Sequence, residues 1–494
     1  MKRVIIFILP IVLTTACVEN LDDWNVDQKK ATVVPPRTLF TNALKGIIDI
    51  VTTPNVNSNN FRMFVQYWAT TTYLDEPRYN MTQRLYSQNQ WYAAYRDALI
   101  DLKEAKRLIN ADETLAPDLK ANQLAVVEIA EVYCWNFLVN TFGDVPYTEA
   151  LDPANVLPVY DNAATIYADL LTRLDGAIGS LKTTAGTFTN GNDVVYAGSA
   201  AKWIKFGNSL KLRMAMLLAD SDNAKAKTLA EQAAAAGVIL ANEDNARFPY
   251  ISAPPNNNPV SANLNPLFSS REDFVMASTI INAMNDVADP RRSAFFTTVG
   301  GEYKGGNYGF SNAYADFSHV SAKIMEPTFE ALFIDASETA FYLAEAIERG
   351  YTVPSANVTV DGAATTLTSA ADFYHHAVRM SIYYWGGTKA AADTYIAQAK
   401  VNYASATGTY KEKIGTQKWI ALNNRGWDSW TEWRRLDFPK LLPPSGPSIP
   451  NALTIPTRMI YPVIEQTVNG AQWSTAAGRY SADSPAAKLW WDVN

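Results

Sequence analysis

Two carboxylate pairs have the types and spacing for acid–base chemistry: Asp75 beside Glu76, and Asp428 one helical turn from Glu432. Glycoside hydrolysis needs two carboxyl groups about 5 to 9.5 Å apart across a sugar cleft. Neither pair is flanked by residues that announce such a cleft. The three histidines are His319, His375 and His376, and no HExxH, GxSxG, CxxC, EF-hand or phosphate-loop pattern accompanies them. Adjacent His375 and His376 project from different sides of a helix, which makes a poor two-ligand metal site. These residues favour no enzyme, metal or cofactor.

Binding chemistry is better supplied. A saccharide offers flat C–H faces and rims of hydroxyls, so it is held by aromatic platforms beside amide, carboxylate and guanidinium groups. The stretch WATTTYLDEPRYNMTQRLYSQN from Trp68 to Asn89 mixes Tyr73, Tyr79 and Tyr86 with Asp75, Arg78, Asn80, Arg84 and Asn89. A second stretch, at 298–323, alternates five glycines with Tyr303, Tyr308, Phe310, Tyr314 and Phe317. Segments that long without periodicity are functional or disordered, and disorder rarely carries so many rings. The candidate ligand residues are therefore Tyr73, Asp75, Arg78, Tyr79 and Asn80 with Tyr303, Tyr308, Phe310 and Tyr314. A face-exposed ring from each loop, Tyr79 and Tyr308, is expected to clamp one sugar. The bland alternative for each tyrosine is a half-buried loop anchor or a protein contact.

Helices must position these loops. Trp91, Tyr95, Ala98, Leu102, Ala105 and Ile109 recur at spacings of four and three, as do Ile166, Leu170, Leu174, Ile178 and Leu181, and Trp203, Phe206, Leu210, Met214 and Leu217. Further helical stretches lie near 224–236, 336–349, 369–384, 389–405 and 412–435. Strand alternation is scarce, so the expected class is mainly α, with helix pairs that stack. Irregular insertions fall at about 241–275, 298–323 and 439–458, the last with six prolines. Trp419, Leu422, Gly426, Trp430 and Trp433 fall at helical spacing, which predicts that most of the rings among Trp427, Trp430 and Trp433 are core, with Arg434 and Arg435 capping or pairing locally.

Composition narrows the partners. The 494 residues hold 42 basic and 49 acidic side chains, for a net charge of −7, the wrong balance for binding a phosphate backbone. Lys2 and Arg3 precede an apolar run from Val4 to Leu13, then Thr14-Thr15-Ala16 and Cys17. That apolar run would span roughly 15 Å as helix, half of a hydrocarbon core of about 30 Å, so it is an export signal and no membrane span. The segment resembles a bacterial lipoprotein leader: residues 1–16 are removed, Cys17 is lipidated, and polar residues 17–37 form a tether. Cys134 then has no partner, and its place on a stripe with Leu124, Val127, Ala130 and Leu138 marks it as core.

Several stretches, in order, resemble the hallmarks of the SusD/RagB family: NVDQKKATVVPPRTLFTNA, NTFGDVPYTEAL at 140–151, YDNAATIYADLLTRLDGAIGSL at 160–181, DPRRSAFF at 289–296, ETAFYLAEAIERG at 338–350 and QKWIALNNRGWDSWTEWRRLDFPKL at 417–441. The resemblance implies a tetratricopeptide-like scaffold of helix pairs forming one domain over 38–494, with irregular insertions. It also implies a non-enzymatic surface lipoprotein of the outer membrane, of the kind found in Bacteroidota. Such a protein takes up glycans for nutrition and delivers them to a SusC-like TonB-dependent transporter. In that family the early inter-helix segment and the central insertion often supply ligand residues. A peptide ligand remains the alternative, with a secreted glycan hydrolase and a structural helical-repeat adaptor behind it.

Overall fold

A computed structural model describes residues 34–189 and 191–493. The leader at 1–16, Cys17 and all but the end of the tether lie outside the described residues. The first helix, α1 (Pro36–Thr52), begins two residues before position 38, the expected start of the domain. Proline suits a helix start, because its missing N–H would have no partner there and its φ is already helical.

Helices follow in the order α2 (Phe61–Phe64), α3 (Tyr86–Ala94), a π turn at Tyr95–Leu99, α4 (Ile100–Ala111), α5 (Pro117–Phe142), α6 (Ala163–Ser180), α7 (Ala200–Leu217) and α8 (Asn223–Ala236). After the shorter α9 (Pro259–Leu264), α10 (Ser278–Asp286) and α11 (Arg292–Phe295) come α12 (Ala336–Glu348), α13 (Ala370–Tyr384), α14 (Lys389–Ile396), α15 (Tyr410–Ala421) and α16 (Gly426–Leu436). Neighbours pack in pairs: α1 on α4, α5 on α6, α7 on α8, and α12 on α13. The class is mainly α, as the periodicity predicts. The Trp91 to Ile109 stripe is buried apart from the half-covered Tyr95, and Cys134 is a buried free thiol.

The strands form two-stranded antiparallel ribbons. β1 (Trp68–Thr70) pairs with β5 (Phe274–Met276), β2 (Val145–Pro146) with β3 (Tyr160–Asp161), β4 (Ala246–Phe248) with β6 (Ala331–Ile334), and β7 (Ala356–Val360) with β8 (Ala363–Leu367). The insertion expected at 241–275 thus carries β4, α9 and β5.

Two expected helices are shorter than their patterns. The stretch 389–405 stops as helix at Ile396, because distant groups engage the turns that follow: Gln398 Nε2 donates to Val287 O (2.9 Å) and Tyr374 Oη to Val401 O (2.9 Å). The stretch 412–435 breaks into α15 and α16 at Asn424, whose φ of 73° is left-handed. Arg62 Nη2 donates to both Asn424 O (2.8 Å) and its side chain (3.0 Å), and a Cβ on Gly426 would lie 2.8 Å from the Arg62 nitrogen. The crossing of α2 therefore forces the break.

A buried ionic network joins α7, α12, α15 and α16. Arg213 and Arg425 both hold Glu338, at 2.7 and 2.6 Å, and Arg213 also meets Asp428 at 3.2 Å. Lys418 and Arg435 hold Glu432 at 2.8 and 2.7 Å, and Arg435 grips Glu345 through both guanidinium nitrogens at 2.6 Å. Arg434 instead lies over the Trp430 ring, 3.6 Å from its centroid. Trp430 is core, as its spacing predicts, and Trp427 is core as well, while Trp433, which shares that spacing, is only partly buried.

Burial pushes the Glu338 carboxyl up, but the charges of Arg213, Arg425 and Lys418 more than reverse this and leave it at about 2, below its usual 4.5. Its contribution to stability is therefore complete above about pH 4.5 and is lost as the pH falls towards 2. A shift of that size corresponds to about 3 kcal/mol. Asp428 opposes it, since burial raises its carboxyl. Urea titrations should lose about 1 to 3 kcal/mol of stability between pH 4.5 and 2, with a flatter slope for Glu338→Gln. An unchanged slope in that variant would remove Glu338 from the acid response.

The last carbonyls of α5 are capped from far along the chain. Arg434 Nη2 donates to Asn140 O (2.9 Å), the Met459 amide to Thr141 O (2.8 Å), and Arg458 Nη2 to Phe142 O (2.9 Å). These groups have no partner within the helix.

Candidate functional site

The β1–β5 ribbon is the base on which both aromatic loops stand. Beyond β1, the Thr71 amide donates to Asp273 O (3.0 Å) and Thr71 Oγ1 to Glu272 O (2.7 Å). The 298–323 loop is tied to the same ribbon: the Met276 amide donates to Ser318 O, the Gly306 amide to Met276 O and the Ser278 amide to Gly306 O, all at 2.8 Å. Gly305 permits this approach, since a Cβ there would sit 2.3 Å from Ser278 Cα. Asn312 Nδ2 then donates to Thr70 O (3.0 Å), and Ser311 Oγ donates to Thr71 O.

The Pro-rich segment at 439–458 is the third wall. Arg78 Nε donates to Gly309 O (3.0 Å) and its Nη1 to Ser448 O (3.1 Å), so one side chain staples the three segments. Gln66 Nε2 adds a bond to Leu442 O (2.6 Å). Gly309 has a φ of 83°, and a Cβ on it would lie 2.3 Å from Pro444 Cβ.

Among the candidates, Tyr73 is the open ring, at 40% exposure, with the Arg84 guanidinium 4.8 Å from its centroid. Arg84 is itself paired with the buried Glu76. Asp75 is half-buried and accepts from Asn80 Nδ2 (3.0 Å), so Asn80 shapes the turn that presents it. Tyr314 is half-buried and stacks on His319 with ring centroids 3.7 Å apart and planes 9° apart. Burial pushes the Tyr314 hydroxyl up, and the nearby Glu272 charge adds to the shift. Phe310 is half-buried against Gly446, and Tyr303 lies under Arg292 at 5.2 Å.

Tyr79 and Tyr308 correct the expected clamp. Each is only 8% exposed, their ring centroids are 6.4 Å apart, and Tyr308 Oη donates to Met63 O (2.6 Å). Neither offers a free ring face, because the two loops close over them. The loops do meet, but the rings beside the Ser311–Thr71 contact are Tyr73 and Tyr314, two and three residues away from it. His319, Arg84 and Glu272 join this surface without having been singled out as ligand residues. No spacing marks them, since each is brought in by loop closure. A tyrosine five residues before a histidine is no signal until the loop folds back.

The carboxylate pairs have no sugar cleft. Glu76 is buried against Arg84, and Asp428 and Glu432 belong to the ionic network. The cavity beside Asp428, lined by Asp335, Arg425 and Trp385, holds about 30 Å³, room for water but not for a sugar ring. His375 accepts from the Tyr403 amide (3.1 Å), while His376 meets Leu240 O (2.7 Å) on another side of α13. Among the described residues no group of three or more His, Cys, Asp or Glu could hold a metal.

The sequence pattern of a SusD-like family, described as starch-binding and associating with the outer membrane, matches residues 28–462. The chain belongs to the SusD-like family. SusD-like proteins are binding proteins rather than enzymes. Solved SusD-like structures share the fold. A chitin-binding protein superposes with a TM-score of 0.78 at 26% identity, covering 93% of this chain and all of its own. A SusD homologue from Bacteroides uniformis gives 0.72 at 26% identity, over 92% of this chain and 99% of its own. A chitin-binding SusD homologue from Flavobacterium johnsoniae gives 0.74 at 24% identity, over 92% and 99%. No curated protein matches the sequence. The SusD-like family associates with the outer membrane, and among the described residues no helix is long and apolar enough to cross one.

Proposed function

We propose that this SusD-like protein is a lipid-anchored receptor on the cell exterior that binds oligosaccharides and passes them to a SusC-like TonB-dependent transporter. The carrying observation is the surface where two aromatic loops meet at Ser311 and Thr71, with the open Tyr73 ring two residues from that contact and the Tyr314–His319 stack beginning three residues from it. Flat rings beside Asp75 and Arg84 are what the faces and hydroxyl rim of a sugar require. The starch-binding description of the family and the chitin-binding relatives support the ligand class. Tyr79, Tyr308 and Arg78 act from beneath, by holding the loops together.

Calorimetry against starch and chitin oligosaccharides, with peptides as the competing class and product analysis afterwards, tests this function. Saturable heat from an intact oligosaccharide is expected, with a dissociation constant in the micromolar to millimolar range, about −8 to −4 kcal/mol. Tyr73→Ala should weaken binding by roughly 1 to 3 kcal/mol, the scale of a lost ring-stacking contact. Heat from peptides alone, or cleavage of the sugar, would overturn the proposal. The anchor is checked by mass spectrometry of the mature N-terminus, which should carry acyl chains on Cys17; an unmodified cysteine would remove the anchor.

A further inference from the structure

Charge at the loop surface is lopsided once its internal pairs are removed. Arg84 is held by Glu76, Arg271 pairs with Asp273 at 2.8 Å, and Lys304 with Glu302 at 3.4 Å. Arg78 keeps its charge, but its guanidinium donates to the Gly309 and Ser448 carbonyls. Among the described residues Asp75, which accepts from the Asn80 side-chain amide, Glu272, and Asp316 in the short turn that carries Tyr314 have no cationic partner. Glu272 lies close enough to Tyr314 for its charge to be felt there, and its carbonyl is bonded to Thr71. Asp75 is two residues from Tyr73, and Asp316 is two from Tyr314. Each ring thus has, two residues along the chain, a carboxylate without a cationic partner among the described residues, and the cation over Tyr73, Arg84, is already engaged.

We infer that Asp75, Glu272 and Asp316 are specificity determinants that exclude anionic saccharides, so that the site takes uncharged sugars and rejects uronates and sulfated glycans. The inference rests on the glycan-binding function proposed above. Uncharged hydroxyls can donate to these carboxylates at no electrostatic cost. A sulfate or carboxylate on the ligand meets like charge without a free guanidinium or ammonium to compensate it. At the partly exposed surface a like-charge contact of this kind weakens binding on the order of fivefold to tenfold per carboxylate.

The test titrates the purified protein with maltoheptaose and chitohexaose, with the sulfated forms of both, and with an oligogalacturonate, at low and at physiological salt. The neutral sugars should bind with affinities that salt leaves unchanged. Their sulfated forms should bind at least tenfold more weakly, with part of the loss recovered in salt, since screening weakens exposed repulsion. The double variant Glu272→Lys, Asp316→Lys should raise the ratio of sulfated-sugar to neutral-sugar affinity at least tenfold over that of the unaltered protein. A wild-type protein that binds a sulfated sugar or the galacturonate as tightly as a neutral one would overturn the inference and leave glycan binding standing. A double variant whose ratio of sulfated-sugar to neutral-sugar affinity stays at the unaltered protein's value would do the same. Silence from every saccharide would overturn the glycan-binding function, and this inference with it.

Discussion

Arg435→Ala is expected to lower the unfolding free energy by about 3 to 5 kcal/mol, because it strands buried carboxylates. Arg435 is 2% exposed and meets both oxygens of Glu345, which is fully buried, as well as Glu432. Deleting it leaves Arg349 for Glu345 and Lys418 for Glu432, each of which neutralises charge without filling the vacated geometry. Arg435→Lys should recover little, since an ammonium cannot reproduce two parallel N–H···O bonds. Arg107→Ala is the control: its pair with Glu104 is exposed on both sides, and water and salt screen such pairs until they contribute little to stability. Urea denaturation of the three variants is the measurement. A loss below 1 kcal/mol for Arg435→Ala would show that the network is dispensable for stability.

Gly309→Ala is expected to cost about 3 kcal/mol and to remove ligand binding. A left-handed residue with a side chain costs about 1 to 2 kcal/mol, and overpacking adds about 1 to 3 kcal/mol. At Gly309 both apply, because the new Cβ would stand 2.3 Å from Pro444 Cβ and push apart the two segments that Arg78 holds together. Gly300→Ala separates the effects: its φ of 62° is also left-handed, but nothing lies within 4 Å of the added carbon. That variant should lose about 1 kcal/mol and keep its affinity. Equal losses in the two variants would mean that the Pro444 contact contributes nothing.

Much of the scaffold was legible because burial follows a period that sequence displays. Ile166, Leu170 and Leu174, or Trp203, Phe206 and Leu210, occupy the faces their spacing assigns. The π turn at Tyr95–Leu99 was not legible, because one extra residue in a helical turn leaves the apolar stripe almost unbroken; it occurs where α1 crosses closely, a Cβ on Gly46 lying 2.8 Å from Asp97 O. The break at Asn424 was equally hidden, since its cause, Arg62, lies 362 residues away. The two loops were identified by composition, yet composition cannot tell a covered ring from an open one. Tyr79 and Tyr73 are the same residue type six positions apart, and only the closure of 298–323 over the first decides which faces solvent.

The capping of α5 has a consequence for the order in which the chain can fold. Its final carbonyls wait for Arg434 and Arg458, which lie 294 and 316 residues downstream. Contacts that distant form late, because the closure entropy of the intervening chain must be met first. A chain exported amino end first would thus carry its longest helix across with an unfinished end. In such a chain, completion of the native state would wait until the last third had emerged.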